Sequence, residues 1–304
     1  MYALEVQNLN KNFGSVKAVD NVSFSVPEGS VFGLIGRNGA GKTTTIRILM
    51  NIYLPDSGDV VLRGAKIGQE FKEKVGYLPE ERGLYKKMNV VDTLLFFAEL
   101  KGKIGSDVQK KADYYLKKFD LLDRKTSKIE DLSKGNQQKI QFIATILHDP
   151  EFLILDEPFS GLDPINTDLL KQIILDMKQA GKVIIFSTHL MEFAEKMCDH
   201  IAMIDHGKII LSGELKNIKT NYGKRNVSLN YNGNISFLNN NPIIERIVDF
   251  GNTTGIKVKK DSDVQTLLKL LVENNITVNK FIADEISLHE IFVSLAGKEN
   301  GNVQ

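Results

Sequence analysis

Cysteine is nearly missing from this 304-residue chain, where Cys198 stands alone. A single thiol excludes an intrachain disulfide and fits a reducing compartment; Cys198 itself reads as a small buried apolar residue. Long apolar runs are missing too. The richest stretches, LLFFAEL and VIIF, fall far short of the ~20 residues that a membrane span needs. The first residues lack the apolar core, basic flank and cleavage site of a secretory signal, so a soluble, cytoplasmic protein is expected, its membrane role, if any, borrowed from a partner. Net charge is also scarce, with 39 Lys and Arg against 38 Asp and Glu. A balance of +1 provides no field for long nucleic-acid contacts. No nucleic-acid partner is expected, and any phosphate binding must come from a local site. No internal repeat or low-complexity tract is found.

What is present begins with enough chain for two domains. Residues 1 to about 35 read as strands (LEV, VSFSV, VFGLI) broken by Asn, Asp, Gly and Pro. A helix is predicted from Thr43 to Asn51, and Pro55, Ser57 and Gly58 then return the chain to a strand at VVL. From about 88 to 148 the apolar spacing turns helical, with Leu94, Leu95, Phe97 and Leu100 on one segment and Tyr115, Leu116, Phe119 and Leu122 on another. FLILD, VIIFST and IAMID then alternate with helical segments near 166–180 and 191–198, the pattern of a parallel sheet with crossover helices. A polar stretch holding Gly223 suggests a boundary near 216–225. We expect domains at 1–218 and 219–304, the second a small α/β module with a last helix that starts in a Ser287–Glu290 capping box.

GRNGAGKT, Gly36 to Thr43, has the spacing G-x-x-x-x-G-K-[ST] between a predicted strand and a predicted helix. Glycines let backbone N–H groups approach phosphate oxygens, and the helix N-terminus adds its positive dipole end. Gly36, Arg37, Asn38, Gly39, Ala40, Gly41, Lys42, Thr43 and Thr44 are therefore the expected nucleotide-binding residues. Lys42 is expected on the β- and γ-phosphates and Thr43 on Mg²⁺. FLILDEP brings Asp156 and Glu157 to the C-terminal end of a buried strand, where open α/β sheets place ligands. Asp156 is expected to hold the metal, and Glu157 to polarise the attacking water. To this point the motifs define only a P-loop NTPase with a site for Mg²⁺; ATP as its nucleotide is what the following resemblance implies.

LSKGNQQK, Leu132 to Lys139, resembles the signature motif of ABC ATPases. SGLD at 160–163 resembles the family's D-loop, STH at 187–189 its switch histidine, and Phe13 in NFG its adenine-stacking aromatic. This resemblance covers roughly residues 1–215 and implies a RecA-like core with an antiparallel β-subdomain, a helical subdomain at about 88–148 and the small C-terminal α/β domain. It also implies a head-to-tail dimer, expected as a homodimer, in which each ATP lies between one phosphate loop and the partner's Ser133 and Gly135. His189 is then expected to position water with Glu157, and Asp163 to report across the interface. As an ATPase subunit the chain would power transport from the inner face of the cell membrane, through separate permease subunits.

Three departures mark the family pattern. Glu80 stands at the Q-loop position, usually glutamine and here an expected metal ligand; Lys134 replaces a common glycine and Asn136 a common glutamine. GYLPEERGLY with a C-terminal module resembles exporter subunits of the sodium or bacitracin-resistance kind, with Leu84, Tyr85 and Phe96 as expected apolar contacts to the membrane partner. A translation factor would carry two cassettes, and a chromosome ATPase a long heptad insertion that is absent here. The remaining alternative is a nucleotide-gated regulator with little hydrolysis, against which Glu157 argues.

Overall fold

The computed structural model describes residues 2–81, 83–222, 226–249, 251, 253–284 and 286–299. Gly223, and Arg82 within GYLPEERGLY, lie outside them. The chain divides into two compact units, Met1–Gly213 and Glu214–Gln304.

The first unit opens with two 12-residue strands, β1 (Tyr2–Phe13) and β2 (Val16–Pro27), in an antiparallel pair. These are longer than the broken strands read from the sequence. Asn8 and Asn21 take left-handed φ values of 49° and 52°, a region that asparagine tolerates better than most residues. The pair shifts register instead of ending. β4 (Ser57–Leu62) and β5 (Ala65–Lys66) complete this sheet in the order β2-β1-β4-β5.

The second sheet carries the chemistry. Its strands are β3 (Val31–Ile35), β6 (Val75–Leu78), β7 (Phe152–Asp156), β8 (Val183–Thr188), β9 (His200–Asp205) and β10 (Lys208–Glu214), in the order β10-β9-β3-β8-β7-β6. From β9 to β6 every pairing is parallel. β3, β7 and β8 are buried at every residue, which is why they read as unbroken apolar runs. The crossovers include α1 (Lys42–Leu49), α2 (Gln69–Lys74), α6 (Pro164–Gln179) and α7 (Met191–Met197). One core joins the two sheets: Leu4, Leu9 and Val26 cluster with Leu34, Ile46, Ile154 and Ile185, and Phe24 stacks on Phe32 with ring centroids 5.0 Å apart.

Between β6 and β7 stand α3 (Val90–Glu99), α4 (Ser106–Lys118) and α5 (Lys134–Ile146), the helical insertion. Leu94, Leu116 and Ile129 are buried, and Phe119 meets Phe142 edge to face at 6.2 Å.

The second unit starts with α8 (Leu215–Tyr222), a helix where the sequence reads as polar linker; Leu215 and Ile218, three apart, are its buried residues. β11 (Asn226–Asn232), β12 (Ile244–Asp249), β13 (Thr254–Val258) and β14 (Thr277–Asp284) form an antiparallel sheet in the order β12-β13-β11-β14. With α9 (Asp263–Glu273) crossing from β13 to β14, this is the order of a split βαβ module whose first crossover helix is reduced to a 3-10 turn at Ser236–Leu238. Leu229, Ile256, Leu267 and Leu271 lie in its core. At the start of α10 (Leu288–Glu299) the expected capping box is formed: Glu290 N donates to Ser287 Oγ at 3.2 Å and Ser287 N to Glu290 Oε2 at 3.0 Å.

Candidate functional site

The loop between β3 and α1 is built so that only glycine fits at its ends. A Cβ on Gly36 would lie 2.2 Å from the Ile204 carbonyl oxygen, and one on Gly41, at φ 107°, 2.4 Å from that of Ala18. Lys42 is only 6% exposed. Its ammonium donates to the carbonyls of Gly36 at 2.9 Å and Arg37 at 3.1 Å and lies 3.5 Å from Glu157 Oε1. Thr43 Oγ1 is 3.3 Å from Asp156 Oδ1 and 3.5 Å from Glu80 Oε2. One helix start therefore touches carboxylates from two different strand ends.

β7 delivers the acid pair. Asp156 is fully buried; Oδ1 accepts from the Thr43 and Ser187 hydroxyls, whereas Oδ2 has no hydrogen-bond partner. Burial pushes its carboxyl above the usual carboxylate range, the hydrogen bonds from Ser187 and Thr43 oppose that rise, and the Glu80 and Glu157 charges add to it. Glu157 follows at φ 49°, a strained conformation for a residue with a Cβ. Its N–H donates to Ser187 Oγ at 3.0 Å, and its Oε1 is 3.0 Å from His189 Nδ1. Both partners come from the end of β8, next to β7 in the sheet.

Lys42, Thr43 and Glu157 line a cavity of about 330 Å³ with Asn38, Gly39, Gly41, Thr44 and Glu80, while Asp156, Ser187 and His189 reach it through their bonds to Thr43 and Glu157. Val16, Lys17, Ala18, His206 and Gly207 complete the wall; sequence reasoning did not anticipate them. The His206–Gly207 turn is stitched to the loop by Gly207 N donating to Ala40 O at 2.9 Å. Phe13 stands just outside the lining, 43% exposed at the end of β1, edge-on to Tyr53 at 5.4 Å and paired in the ladder with Val16.

Ser133 and Gly135 are not part of this wall. Ser133 caps α5, its Oγ accepting from Asn136 N at 3.3 Å. Asp163 caps α6, accepting from Asn166 N at 3.0 Å. A Cβ on Gly135 would sit 3.1 Å from Gly161 O, so the signature and D-loop segments lie against one another.

A glycine loop feeding a helix start, with an acid pair on a parallel strand opposite it, defines a P-loop nucleoside triphosphatase. The family model described as ABC transporter matches residues 19–160, and that described as the C-terminal domain of DrrA1-3-like ATP-binding proteins matches residues 213–296. The chain is 41% identical to the ABC transporter ATP-binding protein YhaQ of Bacillus subtilis (strain 168), over 97% of this chain and 98% of that one. It is 30% identical to the Nod factor export ATP-binding protein I of Ralstonia nicotianae, over 97% and 94%. A solved ATP-binding subunit of an ABC transporter superposes with a TM-score of 0.68 at 30% identity, covering 72% of this chain and 93% of the other. The chain belongs to the ATP-binding subunits of ABC transporters: it binds ATP and hydrolyses it to drive transport. Subunits of this family dimerise and work with membrane permeases.

Proposed function

We propose that this chain forms a head-to-tail homodimer with two composite ATP sites and powers export through separate permease subunits at the inner face of the membrane. The observation that carries this reading is the meeting of Lys42, Thr43, Glu80, Asp156, Glu157 and His189 around one cavity and its rim. Lys42 and the loop amides of Gly36 to Thr44 hold the phosphates. Glu157 takes a proton from the attacking water and His189 keeps the carboxylate turned towards it. Phe13, beside the cavity, stacks on the adenine. Ser133 and Gly135, at the N-terminus of α5, close over the γ-phosphate of the partner's ATP, and Asp163 at the neighbouring helix start senses that closure.

Magnesium fits the donors present. The partnerless Oδ2 of Asp156 is buried beside the Thr43 hydroxyl, which also reaches Glu80. Among the described residues no group of three His, Cys, Asp or Glu side chains could hold a metal by itself, so the cation also needs phosphate oxygens. Thr43, Asp156 and Glu80 would hold it, and it would neutralise charge on the β- and γ-phosphates.

Export is supported by the name of the Nod factor relative, which spans nearly the whole chain. A permease helix is assigned to the surface around Leu84, Tyr85 and Phe96, where Tyr85 is 54% exposed and lies edge-on to Phe96 at 5.5 Å. Among the described residues no helix is long and apolar enough to cross a membrane. The accessory domain is proposed to begin near residue 214, ahead of α8, because a start at 219 would fall inside that helix. The test is sedimentation of Glu157→Gln with Mg-ATP, Mg-ADP and no nucleotide, with Lys42→Ala as the non-binding control. A dimer specific to ATP in the first variant and absent in the second is expected; a monomer in all conditions removes the homodimer.

A further inference from the structure

The β6 edge of the central sheet is closed by one face of α5 and by His148, two residues past its end. β6 is the edge strand, and on its β7 side Lys74 O accepts from Glu151 N at 2.9 Å. The odd-numbered carbonyls point the other way, and each meets a side chain: His148 Nε2 at 3.3 Å from Val75 O, Thr145 Oγ1 at 3.3 Å from Tyr77 O, and Gln141 Nε2 at 3.4 Å from Pro79 O and 3.2 Å from Glu81 O. Positions 141, 145 and 148 are i, i+4 and i+7, one stripe of a helix. All three side chains are buried.

Gln141 differs from the other two in what it grips, because its carbonyls flank Glu80 on both sides. Both amide hydrogens are used there, while Oε1 has no hydrogen-bond partner; turned over, the amide would set its oxygen against two acceptors. The Glu80 carboxylate itself reaches Thr43 only at 3.5 Å, so its place at the site depends on the backbone on either side. The helix that supplies Gln141 is capped by Ser133, about 12 Å away along its axis at 1.5 Å per residue. One rigid helix thus carries the signature at its tip and the clamp on the Glu80 loop two turns later.

We propose that Gln141 is a positioning residue that holds Glu80 at the metal edge of the nucleotide site, and so sets affinity for the divalent cation without setting affinity for the nucleotide. The inference rests on the reading of Glu80 as a metal ligand. A Gln141→Leu change keeps the volume and removes both donors; Gln141→Met is the second variant, should the branched side chain disturb folding.

The test is Mn²⁺ binding, followed by the EPR signal of the free ion, to the full chain saturated with a non-hydrolysable ATP analogue. ATP binding in EDTA is measured in parallel. Gln141→Leu or Gln141→Met is expected to weaken Mn²⁺ about fivefold, the scale of one lost hydrogen bond, and to leave ATP affinity in EDTA within about twofold. Because the effect runs through Glu80, Gln141→Leu added to Glu80→Ala is expected to cost nothing further. Additive losses, an equal loss of ATP affinity in EDTA, or unchanged Mn²⁺ binding in both Gln141 variants overturns the positioning role. Unchanged Mn²⁺ binding in Glu80→Ala removes instead the metal role of Glu80, and this inference with it.

Discussion

Glu157 and His189 are joined by a contact of 3.0 Å between Oε1 and Nδ1, and the same Oε1 lies 3.5 Å from the Lys42 ammonium. One carboxylate oxygen thus meets both a ring and a cation, on a backbone held at φ 49°. A base oriented by a third group is the arrangement that activates a nucleophile.

His189→Ala is therefore expected to lower kcat by about 10²-fold, the lower end of what a well-placed proton acceptor contributes. ATP affinity should change little, because the phosphate contacts proposed within the subunit are those of the loop and Lys42. Phosphate release and binding of a non-hydrolysable analogue measure the two separately. A loss confined to binding would assign His189 to holding nucleotide.

The parts of this site legible in the sequence are those whose chemistry is local. Gly36 to Thr43 and Asp156–Glu157 each pack a strand end, a turn and their functional groups into a few residues, so spacing alone exposes them. Ser187 escaped notice as a site residue although it bonds both Asp156 and the Glu157 amide, because its partners lie some 30 residues away and only the register of β7 with β8 brings them together. Gln141 is hidden for a different reason: one polar residue among several in a mixed helix is meaningful only once the strand edge beneath it is known. Leu215 and Ile218 are outweighed in the sequence by the polar residues between and after them, so the segment reads as a linker although it folds as a helix.

The buried Asp156 gives a prediction about stability. A carboxyl raised above its ordinary value of 3.8 binds its proton more tightly in the folded chain than in the unfolded one. Stability therefore falls as pH rises from that ordinary value through the raised one. Once ionised, the buried group is a burden on the metal-free protein. Asp156→Asn should raise the melting temperature without metal by about 2–4 °C and shrink the further rise produced by Mg-ATP. Scanning fluorimetry at pH 7.5 with and without Mg-ATP reads both; equal Mg-ATP shifts in the two proteins would remove Asp156 from the metal site.

His148 predicts the opposite slope. Burial, then the Lys101 charge, lowers its pKa from 6.5 to about 4 while the ring stays bonded to Val75 O. The folded chain resists protonation that the unfolded chain accepts, so the contribution is complete above about 6.5 and is lost as pH falls towards about 4. Per pH unit, a single group of this kind changes stability by at most about 1.4 kcal/mol. His148→Gln keeps a donor for the carbonyl and cannot titrate. Its melting temperature should fall less between pH 7 and pH 5 than that of the wild type; parallel curves would place the acid sensitivity elsewhere.

All of Lys42, Thr43, Asp156, Glu157 and His189, and nearly all of the six-stranded sheet that positions them, belong to Met1–Gly213. The helix that begins at Leu215 belongs to the second unit, so a cut after Gly213 spares it while a cut near 218 would divide it. A chain ending at Gly213 is expected to fold and to bind ATP within about threefold of the full chain, a difference under 1 kcal/mol. Circular dichroism and calorimetric titration test the two halves of that statement. Folding without ATP binding would mean that residues beyond Gly213 complete the nucleotide site. ATP binding without the ATP-specific dimer in the truncated Glu157→Gln chain would instead assign the accessory domain to the dimer, because every group proposed to touch the nucleotide would still be present.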